Sequence, residues 1–308
     1  SGFLSALFVN DTVCIMLTPL VAELALRSRR DPLPYLIALA TSANVGSCAT
    51  IIGNPQNMLI GAQSGIGFVR FFLSLAPASL GGLALCGLFI VLAHPKEFAR
   101  RERLFHVAAP RPMTYRPLLY KSLAAVALLL LALLLGLDPA IASLSAAAIL
   151  LVTRRVDTGK VFAEVDFSLL VFFAGLFVLT RAVEATAAFK WCVDRSLLLI
   201  AGGDGRPSLL PFSAMTAVFS NLVSNVPAVM LFRPLVPLFA SQDRAWLILA
   251  MASTFAGNLS LLGSVANLIV AEGAKRSGIR LGFGAYLRLG LPITIASLSL
   301  GTAWLLLF

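Results

Sequence analysis

Ser5-Ala6-Leu7-Phe8-Val9-Asn10-Asp11-Thr12, running on to Pro19-Leu20-Val21, places an amide and an acid inside an apolar run that extends from residue 3 to residue 26. A helix that crosses a bilayer needs about 20 apolar residues in succession, and each half of this run is too short. The stretch therefore predicts a re-entrant helical hairpin with the polar triplet at its tip, because irregular backbone at membrane depth must be buried in protein or line a cavity. A second stretch, Ser220-Asn221-Leu222-Val223-Ser224-Asn225-Val226-Pro227 running on to Pro234-Leu235-Val236, repeats the same step from asparagine to proline. Downstream, Gly53-Asn54-Pro55-Gln56-Asn57 is matched in order and spacing by Gly263-Ser264-Val265-Ala266-Asn267. Two signatures, each present twice in one order, predict an internal structural repeat of the kind that builds carriers.

The surroundings of these stretches set the class. The chain has 308 residues, 59% of them hydrophobic and only 12% charged, with a mean hydropathy of +0.92, outside the range of soluble domains. The reading is an all-α polytopic membrane protein, long enough for roughly eight to ten passes if re-entrant segments are counted. Period-2 alternation is absent, which excludes a barrel. The net charge of +10 does not indicate nucleic-acid binding, because Arg and Lys gather in short connectors: Arg27 to Arg30, Lys96 to Lys121, Arg154 to Lys160 and Lys275 to Arg288. Such clustering marks the cytoplasmic side of a multi-spanning protein in contact with the lipid bilayer. Cys14, Cys48, Cys86 and Cys192 lie apart in apolar sequence without CxxC spacing, and His94 and His106 sit in the longest basic connector. No metal framework, cofactor or enzyme chemistry follows from them.

Sidedness can be counted from the connectors. With Arg27 to Arg30 inside, a broken helix over 35–62 and a span over 68–93 return to a cytoplasmic linker at 94–117. Two plain crossings then reach Arg154, and the second hairpin, residues 209–239, opens outward. The repeats are thus inverted, with residues 1–93 as the first and 118–308 as the second. The first lacks counterparts of the helices that precede the second hairpin, which implies truncation at the N-terminus.

Candidate ligands follow from the four interruptions. Helix N-termini attract anions through free N–H groups and the helix dipole, while freed carbonyls and Asn or Ser oxygens suit a cation. The expected site residues are Asn10, Asp11 and Thr12 at the first tip, and Ser224 and Asn225 at the second. Asn44, Ser47, Gly53, Asn54 and Asn57 belong to the first broken helix; Asn258, Gly263, Ser264 and Asn267 belong to the second. The competing role for each asparagine is interhelical hydrogen bonding. Ser42, Thr50, Ser253, Thr254 and Ser260 are weaker candidates, since hydroxyls often bond back to their own helix. Asp11 is the one carboxylate expected at a hairpin tip, able to carry a proton, bind sodium, or cap its own helix.

The run from Asn10-Asp11-Thr12 to Pro19, followed by Ser42-Ala43-Asn44-Val45-Gly46-Ser47-Cys48-Ala49-Thr50-Ile51-Ile52-Gly53-Asn54-Pro55-Gln56-Asn57, resembles the ion transporter superfamily. That superfamily includes arsenite efflux pumps, citrate transporters, divalent anion:sodium symporters and some sodium/proton antiporters. The resemblance covers essentially the whole chain and implies an elevator-type carrier of the bacterial inner membrane, forming a homodimer. In the dicarboxylate branch both tips carry a serine-asparagine-threonine triplet; here only the asparagines match, and Asn10-Asp11 is closer to the arsenite branch, which implies proton coupling. The resulting expectation is secondary active transport of a small anion or oxyanion, coupled to H+ or Na+. A sodium/proton antiporter is the alternative, and a channel is disfavoured because the lining lacks repeated carbonyls or like charges.

Overall fold

The computed structural model describes residues 1–99, 115–152, 159, 163, 165, 167–202 and 207–307. Regular structure among them is helical, apart from an isolated bridge between Ala201 and Pro207. In chain order the helices are α1 (Gly2–Leu7), α2 (Asn10–Arg27), α3 (Pro32–Ser47), α4 (Pro55–Ser64), α5 (Phe68–Ala93), α6 (Pro95–Phe98), α7 (Arg116–Leu134) and α8 (Pro139–Leu151). They continue as α9 (Phe167–Glu184), α10 (Ala187–Ile200), α11 (Leu209–Val223), α12 (Asn225–Phe232), a 3-10 segment over Arg233–Leu238, α13 (Gln242–Ala256), α14 (Val265–Arg276) and α15 (Phe283–Leu307). Among the described residues, α5, α7 and α15 are long and apolar enough to cross a membrane. The predicted linker at 94–117 and the basic residues Arg154, Arg155 and Lys160 fall largely outside the described residues.

Two compact units result: the described residues within Ser1–Ile66, Arg70–Val107 and Ala187–Phe308, and those within Gly67–Val69 and Ala108–Thr186. This division cuts across the sequence repeats. In the smaller unit, α7 turns into α8 through Gly136, which adopts φ +81, and Asp138 caps α8 by accepting from the Ala140 and Ile141 amides at 2.9 and 3.1 Å. Proline at the first helical position suits that cap, since its missing N–H is one the helix cannot use.

The larger unit contains the interrupted elements. Helix α3 has 16 residues and α4 has 10, and at about 1.5 Å per residue neither reaches the roughly 30 Å of a hydrocarbon core. The pair α13 and α14, with 15 and 12 residues, is interrupted in the same way. Each second half begins on a side-chain cap followed by a helix-starting residue: Asn54 accepts from the Asn57 amide at 2.9 Å ahead of Pro55, and Ser264 accepts from the Ala266 amide at 3.3 Å. The caps satisfy donors that the bilayer could not.

Both hairpins are present, with a shift in detail. The first turn falls on Phe8-Val9, so Asn10, Asp11 and Thr12 form the opening turn of α2 rather than the loop itself. The second turn is a single residue, Ser224, at φ +79, with Asn225 opening α12. Asn57 and Asn267 likewise lie in the first turns of α4 and α14, and not in irregular backbone. At both tips the helix resumes at the asparagine itself, without a side-chain cap, so the irregular segments are narrower than the polar runs suggest.

The short arm α1 packs along α3, where backbone meets backbone: a Cβ at Gly46 would collide with the Gly2 carbonyl group. Replacement of Gly46 by Ala is expected to act as overpacking, costing about 1–3 kcal/mol, and to lower the melting temperature of the detergent-purified protein. Gly87→Ala, where an added Cβ meets nothing within 4 Å, is the control and should leave it level or slightly raised. Equal melting curves for the two variants would show that this contact is not close in the native protein.

Candidate functional site

The four interruptions converge on a buried network of neutral amides and hydroxyls. At its centre is Asn44, near the end of α3 and 1% exposed. Its Oδ1 accepts from Asn10 Nδ2 at 3.0 Å and from Ser264 Oγ at 3.0 Å. Its Nδ2 donates to Asn258 Oδ1 at 2.9 Å and to Asn267 Oδ1 at 3.0 Å. One amide therefore makes contacts to the first hairpin, to the second break and to the cap of α14, and spends its full bonding capacity.

Each break is closed by an asparagine from the helix that follows it. Asn57 Nδ2 faces the carbonyls of Ser47, Cys48 and Thr50 at 3.3, 3.3 and 2.9 Å. Asn267 Nδ2 donates to the carbonyls of Gly257 and Ser260 at 2.7 and 3.0 Å. In the register that aligns Gly53 with Gly263, Ser47 matches Gly257 and Thr50 matches Ser260, so the two asparagines do the same work at equivalent positions. The regular helical ladder stops where α3 and α13 end; Thr50 and Ser260 keep turn bonds from the Gly53 and Gly263 amides at 3.4 and 3.0 Å, and the asparagines supply donors to the rest of each break, where a buried carbonyl left bare is costly.

The repeats also complete one another. Asn44 and Thr254 are equivalent in that register. Asn44 receives the cap serine of the opposite break, Ser264, and Thr254 Oγ1 receives Asn54, the cap of the first break, at 3.3 Å, and Gln56 Nε2 at 3.2 Å. Asn54 Nδ2 additionally reaches Ser47 Oγ at 2.9 Å, whose own hydroxyl donates to the Asn44 carbonyl at 2.8 Å. Asn258 Nδ2 donates to the Thr41 carbonyl at 3.0 Å.

The tips differ. Asn10 is anchored by its backbone amide on the Gly53 carbonyl at 2.9 Å and by its side chain on Asn44, and its Oδ1 is buried without a partner. Asn225, with its amide turned as its surroundings require, presents nitrogen to Ser220 Oγ at 2.7 Å, to the Ser253 carbonyl at 3.1 Å and to the Gly263 carbonyl at 3.2 Å. Gly53 and Gly263 thus each hold the asparagine of their own tip. Gly53 is closely surrounded, since a Cβ there would strike the Ser47 backbone.

Of the expected residues, Asn10, Asn44, Ser47, Gly53, Asn54, Asn57, Asn225, Asn258, Gly263, Ser264 and Asn267 join this network. Thr12 and Ser224 are exposed and make no side-chain hydrogen bond among the described residues; Ser224 contributes its backbone turn. Asp11 is half-buried beside Asn10, and its carboxylate has no hydrogen bond or ion pair among the described residues. Gln56, Ser220 and Asn221 were not anticipated. Asn221 Nδ2 donates to the Ala256 carbonyl at 2.7 Å, where α13 ends, and Gln56 lay in view within the Asn54-Pro55-Gln56-Asn57 run. Thr254, ranked low because hydroxyls bond back, instead accepts across the repeats, while Ser253 does bond back to the Leu249 carbonyl at 2.7 Å.

Buried oxygens without a partner occur at Ser79, Thr216, Tyr286 and Thr294, and also on the three elements that meet around the first break. Ser5 Oγ, Asn10 Oδ1 and Asn57 Oδ1 are all buried and unpartnered. The elements that carry them are tied together by Thr50 Oγ1 to the Ala6 carbonyl at 2.6 Å, by the Asn10–Gly53 bond, and by Asn57 to the Thr50 carbonyl. Oxygen acceptors without donors are the chemistry that coordinates a hard cation or receives a proton.

Known proteins share this arrangement of sequence. Residues 1–256 match the model of the citrate transporter family. The chain is 33% identical to the silicon efflux transporter LSI3 of Oryza sativa subsp. japonica, over 96% of its own length and 75% of that protein's. It is 25% identical to the putative transporter arsB of Dictyostelium discoideum, covering 98% of this chain and 73% of the relative, and 27% identical to a 46 kDa membrane protein of Mycobacterium leprae over 98% and 73%. With its helical, interrupted architecture and these relatives, the chain is a multi-pass membrane transporter, not an enzyme, and belongs to the citrate transporter family.

Proposed function

We propose that this permease is a secondary active transporter of a small oxyanion or its undissociated acid, driven by a proton that binds at Asp11 in the first repeat. One observation carries the reading. The network amides that bridge the repeats are spent on one another, whereas Asn10, with Ser5 on α1 and Asn57 on α4, keeps a buried acceptor, and Asn10 directly precedes Asp11, the one carboxylate of the opening turn of α2. Ionisable groups at membrane depth are expensive and are kept for function. The site otherwise offers amides and hydroxyls, which suit a compact solute bearing several oxygens. The names of two relatives, a silicon efflux transporter and a putative transporter called arsB, fit that solute class.

In this mechanism Asn57 and Asn267 fix the broken ends in place, so the N–H groups that the caps of α4 and α14 leave over face the solute without reorganisation. Protonation of Asp11 changes the charge of the first tip, and alternating access follows if loaded and empty tips favour different conformations. The same lone carboxylate beside unspent oxygens favours, second, exchange of sodium for protons at this tip. That reading requires no oxyanion.

In proteoliposomes, Asp11→Asn is expected to abolish proton-driven accumulation of arsenite or silicic acid, at least tenfold below wild type, while solute exchange at equilibrium persists. Wild-type accumulation in Asp11→Asn would overturn proton coupling there; sodium-driven pH changes in anion-free vesicles that vanish in Asp11→Asn would establish the antiporter instead. The asymmetry of the tips has its own test. Asn10→Ala should raise the half-saturating proton or sodium concentration about tenfold, the equivalent of about 1.4 kcal/mol, with Asn225→Ala acting mainly on the melting temperature. Equal effects of the two substitutions on ion dependence would contradict an ion site confined to the first repeat.

A further inference from the structure

Helices α2 and α14 run side by side from the polar centre to the basic end of the larger unit, and a groove of about 590 Å³ lies between them. Its walls are Ile15, Thr18 and Pro19 on α2, and Val265, Leu268 and Ile269 on α14, with Glu272 and Arg276 nearer the mouth. The hydroxyl of Thr18 is turned back to the Cys14 carbonyl at 2.6 Å, so the upper walls present carbon. Close contact of Gly273 with Thr18 forms the floor.

The dimensions and charges of this groove point to one occupant. From Val265 to Arg276 an α-helix rises about 16 Å, half of a hydrocarbon core of about 30 Å, which is the depth of a single leaflet. Arg276 ends the groove at the side marked as cytoplasmic by the distribution of Arg and Lys. Glu272, the acid on the groove, is paired with Lys275 at 3.9 Å. Arg276 has no ion pair or side-chain hydrogen bond among the described residues. An apolar slot one leaflet deep, with an unspent guanidinium at headgroup level, has the shape and charge of an anionic phospholipid.

We infer that the groove between α2 and α14 binds a phospholipid of the inner leaflet, with one acyl chain along Ile15, Pro19, Leu268 and Ile269 and its phosphate on Arg276. The acyl chain ends beneath the first turn of α2 and the cap of α14, so the lipid braces the two helices that carry Asn10 and Ser264. This binding does not depend on which solute or ion the carrier moves.

Native mass spectrometry of the full-length protein in detergent, titrated with phosphatidylglycerol and with phosphatidylcholine, tests it. The wild type should bind phosphatidylglycerol more tightly. Arg276→Gln should weaken phosphatidylglycerol about fivefold, the effect of one basic residue near an anionic surface, and leave phosphatidylcholine unchanged; Arg288→Gln, on another helix, should do neither. Ile269→Trp fills the slot and should weaken both lipids, and if it does not fold, Arg276→Gln still decides the matter through headgroup selectivity. Equal affinity for the two lipids in the wild type, or wild-type selectivity in Arg276→Gln, overturns the proposal. So does a change of oligomeric state in Ile269→Trp with lipid binding intact, which would make the groove a contact between copies.

Discussion

The Asn44 side chain is the point on which the larger unit depends. An amide as fully buried as Asn44, Asn258 or Asn267 is out of reach of bulk solvent and must find its partners within the protein. A net hydrogen bond contributes only about 0.5–1.5 kcal/mol, whereas a buried group left without its partner costs about 1–3 kcal/mol. Loss of Asn44 would strand Asn10, Asn258, Ser264 and Asn267 together, and the penalty of these orphans outweighs the bonds themselves. The arrangement thus holds by mutual dependence rather than by the strength of any one contact, as expected of buried polar networks.

The two repeats share a frame and differ in how each tip is held. Asn57 and Asn267 close equivalent breaks with equivalent bonds, and Gly53 and Gly263 each secure a tip. The tips diverge. Asn225 commits its nitrogen to Ser220 and two carbonyls, and Val226 and Pro227 follow it without a charge. Asn10 commits only its nitrogen and is followed by Asp11.

Much of this was legible in the chain because polar residues are conspicuous in apolar runs. The hairpins, the two broken helices and the span over Phe68–Ala93 could all be placed from where Asn, Gly and Pro interrupt Leu, Val and Ile. The turn positions were displaced by a residue or two, because a helix starts on its cap and not after the last polar residue. Which candidate contacts which could not be read. Asn44 and Asn258 are 214 positions apart, and local pattern carries no information about such pairing. Thr254 illustrates the limit: its sequence neighbourhood predicts a hydroxyl bonded to its own helix, and only the approach of Asn54 and Gln56, 200 and 198 residues away, makes it an acceptor between halves.

The crossing of caps between repeats has a consequence for biogenesis. Asn54 and Asn44 emerge from the ribosome long before Thr254, Asn258 and Asn267, with separations of 200 to 223 residues. At synthesis rates of about 5–20 residues per second, the first half spends roughly 10 to 40 seconds without its partners. During that interval its amides must be held by something else: the walls of the insertion machinery, water that follows the chain, or neighbouring backbone. Insertion of the first half and closure of the crossed caps are therefore separate events in time, since the caps find their partners only once the last third of the chain has been made.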